Sequence, residues 1–449
     1  MSNCTIVVGT GIADLAAASK LRDSGKKVVV FESSVRPSGR MIRLSKNGDW
    51  AAGETQGIHT TSSETLKLIN QHGLSGDIIP QINEQACYLD RKGEHLFPVG
   101  TRGMLKILGW RGSKNQAWLL IRYMIGMKKR SLLETHRDIP EHDNISVAKA
   151  FKWPDSDFRD FVLFRGAHTM AGSDLEHTNL CHFLNLMKLT LTTKVMTLRE
   201  GNTRFPKKIT PSLDVQHESS ARDLLLEGGK TCGFELEVGK RTYSNHVILA
   251  CSASADASML TEKLAPTKEL LSSFPSTPLS LVYLYLDRPV DTKAFVYMEQ
   301  AFRSTTSNMA INHTVKTPHL VPSGKGIISA WPCDPDSALL DKQRDAEVID
   351  NALIGMNIFF PSIGNMIEDV YVQRHRSGLN RFSLGQHARI RTFKRQTETL
   401  TDVSFANSDC DCAHIKSGVR ADLRAAKRAI RGLALKTATT HSNTTQDKV

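Results

Sequence analysis

The sequence predicts an α/β protein whose first unit is a dinucleotide-binding βαβ. Three observations carry this. Thr5 to Val8 is a short apolar, largely β-branched run that ends on Gly9-Thr10-Gly11. Ile12, Ala13, Leu15, Ala16, Ala17 and Leu21 then recur at helical spacing, and Gly25 stops that helix. Val28 to Phe31 is a second apolar run, with the acidic Glu32 at its carboxyl end. In such a unit a pyrophosphate lies at the helix N-terminus, where free N–H groups and the helix dipole favour an anion. Glu32 would accept hydrogen bonds from ribose hydroxyls.

One position departs from the fingerprint G-x-G-x-x-G. Asp14 stands where the third glycine lets helix and strand pack closely. It adds a side chain in a tight place and a negative charge near a diphosphate. The plainer alternative is a βαβ unit with a glycine turn and no ligand.

Composition narrows the class. The chain has 449 residues, 40% hydrophobic and 23% charged, as expected for a folded protein of two or three domains. The formal net charge is +12, which favours acidic partners or an anionic membrane surface. No nucleic-acid motif accompanies that charge, so no nucleic-acid partner is expected. The eight cysteines are scattered. Only Cys410 and Cys412 are close, with His414 beyond, and no second ligand pair exists, so they read as thiols in a reducing compartment rather than a metal site. No signal peptide and no run of about 18 apolar residues is seen, so a cytoplasmic protein is expected.

After Glu32 the chain reads Ser33-Ser34-Val35-Arg36-Pro37-Ser38-Gly39-Arg40. The pattern E-x-x-x-R-x-x-G-R directly after a dinucleotide unit resembles the FAD-dependent amine oxidase and protoporphyrinogen oxidase superfamily. Further stretches resemble that family in order. Asn47 to Leu74, with Gly53, Gln56 and His59, resembles its loop under the flavin ring and the helix that follows. Thr61-Ser62-Ser63-Glu64 is a capped helix start. Val195 to Val215 has Gly201 and Pro206 of a turn preceding a helix, and Ala221 holds a position that contributes backbone contacts to the adenine in the family. His246 to Cys251 is a buried strand. In Tyr371 to Gly385, Arg374, Phe382 and Gly385 match the family, while His375 and Asn380 replace a tryptophan and a proline. Val403 to Ala426 resembles the closing flavin motif through Phe405, Ala406, Ser417, Gly418 and Ala421.

Between these stretches lie substrate-domain elements. Strands are expected near Ala86–Leu89 and His95–Pro98, and helices over Phe158–Met170 and Cys181–Leu191. Trp118 to Met127 is an apolar helix followed by Lys128-Lys129-Arg130, read as a buried helix with a basic end or, second, as a peripheral membrane contact. Ser280 to Pro289 is a strand apolar on both faces, and Ala346 to Phe360 a helix ending at Pro361.

The resemblance implies a Rossmann-like FAD-binding domain of the GR2 type, interleaved with a mixed α+β substrate-binding domain. The FAD-binding segments would be 1–78, 193–265 and 389–436. The substrate domain would take 79–192 and 266–388, with a disordered tail over 437–449. It further implies FAD held by Gly9, Gly11, Ile12, Ala13, Asp14, Glu32, Ser33, Arg36, Gly39, Arg40, Gly53, Ala221, Ser408, Ile415 and Val419. No metal ligand and no catalytic acid or base is assigned. The expected activity is hydride removal from a C–N or C–C bond of an apolar or amine small-molecule substrate, with electrons passing to flavin and then to oxygen or another acceptor. Asp14, Ser38, Asn407 and Ala413 each replace a glycine where backbone approach is expected, which leaves a second reading: a non-catalytic relative that keeps the fold and binds FAD weakly or not at all.

Overall fold

The computed structural model describes residues 4–37, 39–41, 43–46, 49–52, 57–119, 121, 142–151, 157–171, 173–300, 307–332, 336–406, 408–412 and 414–446. Ser38, Gly53, Gln56, Asn407, Ala413 and most of the Trp118–Arg130 stretch lie outside them.

The opening unit forms as its spacing requires. Strand β1 (Cys4–Val8) leads through the glycine turn into helix α1 (Ile12–Asp23), which returns through Gly25, at φ +72°, to strand β2 (Lys27–Phe31). These strands sit inside a five-stranded parallel sheet in the order Asp214–Gln216, β2, β1, His246–Leu249, Val403–Phe405. Three of the five come from chain far downstream of β2.

Alternation along β1 explains the layers. Val7 points to one face, among Ala17, Ala18 and Leu21 of α1 and Ala425, Ala426 and Ala429 of the closing helix, Ile415–Gln446. Ile6 and Val8 point to the other, where Leu224, Phe234 and Leu236 of a three-stranded antiparallel sheet cover them. A parallel sheet covered on both faces reads as continuous apolar runs, as here. Burying each such side chain stabilises the fold by about 1.5–3 kcal/mol. The alanines let the two helices come close: a Cβ on Gly418 would lie 3.5 Å from the Ala13 Cβ.

The second layer system is a seven-stranded sheet in the order Ile367–Asn380, Ser276–Leu286, Gly326–Trp331, Met309–Asn312, Val296–Glu299, Gln85–Asp90, Gly93–Pro98. Strand Ser276–Leu286 is buried on both faces. Val282, Leu284 and Leu286 meet the helix Asp345–Phe359 through Val348, Ala352 and Met356. Leu281, Tyr283 and Tyr285 meet the π-helical turn Phe158–Phe164 and the helix Leu180–Thr192.

Helix Ser63–Gln71 starts where the sequence places it, with Ser62 at the N-cap and Glu64 in the first turn, but the Ser62 hydroxyl is buried without a hydrogen-bond partner. Backbone turning at Ser62, with the Ser62 amide bonded to the His59 carbonyl at 2.8 Å, starts the helix instead. The closing helix is described as far as Gln446. No helix among the described residues is long and apolar enough to cross a membrane.

Candidate functional site

The carboxyl ends of the parallel strands open onto one cavity of about 1000 Å³, at the upper end of small-ligand sites. Its wall is assembled from the glycine turn, the ends of β2 and of the strand His246–Leu249, residues 219–221, the end of strand Ile367–Asn380, and the turn before the closing helix. This is where ligands bind in open α/β sheets.

One end is acidic. Glu32 and Glu237 line it with Ser33, Ala221 and Met259. Glu32 is already engaged by the chain: Thr10 Oγ1 donates to it, as do the Ser34 amide at 2.8 Å and hydroxyl at 2.7 Å.

The middle is the glycine turn. Gly39, at φ +53°, crosses it so closely that an added Cβ would lie 3.2 Å from the Gly11 Cα. Only glycine allows both that backbone angle and that approach. Arg40 reaches over the same place and donates to Ser408 Oγ at 2.6 Å and Asn380 Oδ1 at 3.3 Å. Asp14 points back into the turn. Its Oδ2 accepts from the Gly11 amide at 2.7 Å, and a Cβ on Gly9 would come within 2.3 Å of it. Burial pushes the Asp14 carboxyl up to about 7, the Gly11 amide opposes this, Glu32 adds to it, and Arg40 opposes it.

The aromatic end is formed by the adjacent rings of His59 and His414, with Ile415 next to it in sequence, and Trp331 lines the same cavity. The two imidazoles lie 4.8 Å apart, centroid to centroid. His59 Nδ1 pairs with Thr193 Oγ1 at 2.6 Å, and His414 Nδ1 accepts from the Lys416 amide at 3.3 Å, which leaves the His414 proton on Nε2. Burial lowers His59 to about 4. Burial, then the neighbouring His59, Lys416 and Arg420, lowers His414 to about 3. Both are uncharged at neutral pH.

The turn that carries Ser408 and His414 is pinned from beneath. Asp411, fully buried, pairs with Lys394 at 2.6 Å, Arg420 at 2.7 Å and Arg424 at 3.0 Å. Removing one partner of such a buried network typically costs about 3–5 kcal/mol. Cys410 and Cys412 point the opposite way, into the apolar core with Phe393 and Phe405. Among the described residues no group of three or more His, Cys, Asp or Glu side chains is placed to hold a metal ion.

Most of the residues expected at a cofactor lie on this wall: Gly9, Gly11, Ile12, Ala13, Asp14, Glu32, Ser33, Gly39, Arg40, Ala221, Ser408 and Ile415. Two do not. Arg36 is exposed on the loop after β2, away from the cavity wall, where its carbonyl accepts from Ser34 Oγ. Val419 is buried between α1 and the helix Ser63–Gln71, with Leu15 and Ile69, because it lies one turn beyond Ile415 on the inward face. Gly418, its neighbour, lines the cavity instead. Trp331, Arg376 to Leu379 and the segment Cys251 to Met259 were not foreseen as site residues, since nothing local marks a strand end as a cavity wall. His414 carried a signal, standing where the family motif has another residue.

The chemistry of this wall suits a flavin nucleotide. The helix N-terminus and Arg40 suit phosphates, the acidic end suits ribose hydroxyls, and the aromatic end suits a flat ring. Among the described residues, Asp14 is the side chain set in the way.

The sequence matches the family described as flavin containing amine oxidoreductase over residues 12–430. Lysine-specific histone demethylase 1 homolog 2 of Oryza sativa subsp. japonica is 43% identical over 63 residues, which is 14% of this chain and 8% of that protein. Among solved structures, putrescine oxidase superposes with a TM-score of 0.76 at 16% identity, covering 96% of this chain and 99% of the other. Cyclohexylamine oxidase from Brevibacterium oxydans gives 0.76 at 14%, covering 96% and 99%. These two likenesses show the fold, whereas the family match runs from the first residue of α1, just after the glycine turn, to residue 430 within the closing helix. The chain belongs to the flavin containing amine oxidoreductase family and is a flavin-dependent oxidoreductase.

Proposed function

We propose that the chain binds FAD in this cavity and oxidises a C–N or C–C bond of a largely apolar or amine-bearing small molecule. One observation carries the reading: stretches spread between residues 8 and 418 converge on one cavity with a phosphate-suited middle and an aromatic end. The flavin would supply the hydride-accepting chemistry. The chain's residues would do the rest. Glu32 would turn from Thr10 and Ser34 toward the ribose. Arg40 would bring its charge to the diphosphate. Trp331, His59 and His414 would hold the substrate end dry. Neither imidazole is charged there, so neither would itself repel a substrate amine.

The second reading, a non-catalytic relative, draws on Asp14, Ser38, Asn407 and Ala413, each standing where a glycine is expected. Visible absorbance separates the two. The purified chain, reconstituted with FAD at pH 6 and gel-filtered, is expected to retain the yellow chromophore and to bleach anaerobically with an amine substrate. Retention without bleaching by any amine or polyene offered would favour the non-catalytic relative.

A further inference from the structure

We propose that Asp14 is a proton-switched ligand of the cofactor diphosphate: as a carboxylate it closes the berth, and as the neutral acid it donates a hydrogen bond to a phosphate oxygen. This rests on the flavin reading above.

The geometry comes first. Asp14 sits at the third position of α1 and holds the Gly11 amide at 2.7 Å, so the chain's own anion occupies the hollow a phosphate oxygen would take. The hollow is closely filled, since a Cβ on Gly9 would come within 2.3 Å of Asp14 Oδ2. Asp14 is 6% exposed. A carboxylate there and a diphosphate would repel each other across hydrogen-bond distance in a site shielded from water. A neutral carboxyl removes the repulsion and supplies a donor.

The surroundings favour the neutral form. Glu32, at the end of β2, adds negative charge. Arg40 opposes it, but its guanidinium is held by Ser408, Asn380 and the Gly378 carbonyl. From the strand His246–Leu249 and beyond come the Cys251 thiol and Asp256, the latter bound to the Cys251 amide at 3.2 Å. From the closing helix comes Asp422, fully buried, both oxygens without a hydrogen-bond partner, and in the field of Asp14, Asp256 and Arg424. Burial, then Asp14 and Asp256, raise the Asp422 carboxyl as well, so a second acid lies behind the first. The cycle balances simply: the open site takes one proton from solvent as the dinucleotide enters, and returns it on release.

Calorimetric titration of the full chain with FAD, from pH 5.5 to 8.5 in buffers of different ionisation enthalpy, tests this. Above pH 7 the affinity is expected to fall about tenfold per pH unit, with close to one proton taken up per FAD. Asp14→Asn and Asp14→Gly are expected to bind without that uptake and without the alkaline loss. Riboflavin, which has no phosphate, should bind the wild type with no such pH dependence. FAD binding to the wild type with flat affinity and no proton uptake overturns the switch and leaves the flavin reading intact. Uptake that survives in Asp14→Asn but vanishes in Asp422→Asn moves the proton to Asp422 and overturns it too. Failure of wild type and both Asp14 variants to bind FAD at any pH, with folded circular dichroism spectra, ends both readings.

Discussion

The two ends of the cavity solve burial in opposite ways. At the glycine turn the chain buries an acid, Asp14, beside another acid, and burial favours its neutral form. At the aromatic end it buries two bases, His59 and His414, and burial again favours the neutral form. The same desolvation therefore raises one set of titrations and lowers the other. Near neutral pH the two imidazoles carry no charge, while Asp14 stands near its midpoint. An enzyme built this way would keep its reactive end constant and vary its grip on the cofactor.

The largest expected effect is at Asp14. Its folded value, about 7, lies above its unfolded value, so the stability it contributes is present below about 4 and is lost as pH rises toward 7. The full loss is on the order of 4 kcal/mol. Asp14→Asn should therefore gain urea resistance over wild type at pH 8 and little at pH 4.5. Equal curves at both pH values would mean that Asp14 is no more than a helix cap.

Next come the histidines. Their folded values, about 4 and about 3, lie below the unfolded 6.5, so their contribution is present above 6.5 and lost as pH falls through that window. Each is worth on the order of 3–5 kcal/mol. His59→Gln with His414→Gln should flatten the acid limb of unfolding. An acid limb as steep as that of the wild type would show that neither imidazole is its source.

The smallest effect is at Gly39. Alanine there meets a φ of +53° and the Gly11 Cα at 3.2 Å. A cost of about 1–2 kcal/mol in thermal unfolding is expected, with weaker FAD binding. Unchanged FAD affinity would show that Gly39 does not approach the diphosphate.

Much of this was readable in advance, for local reasons. The β1–α1–β2 unit announces itself by period, because each element covers the next. Glu32, Arg40 and Ser408 were legible because motif spacing fixes where a turn ends. Strand Ser276–Leu286 was apolar on both faces, and the structure resolves the ambiguity by burying both. What was not legible depends on contacts between remote segments. Val419 faces the core and Gly418 the cavity, a difference of one residue that helix rotation against α1 decides. Arg36 followed the motif but sits outside the wall, because the loop after β2 turns it to solvent. That Asp14 would accept from Gly11, rather than simply repel a phosphate, needed the observed rotamer.

The sheet order has a consequence for biosynthesis. Strand His246–Leu249 borders Val403–Phe405, so one flank of the nucleotide sheet stays unpaired until the later strand leaves the ribosome. At about 5–20 residues per second that wait is on the order of ten to thirty seconds. Throughout it the nascent chain exposes a flat apolar edge open to wrong pairing. Chaperone dependence during translation should thus concentrate in that interval, and cofactor loading can begin only after it closes.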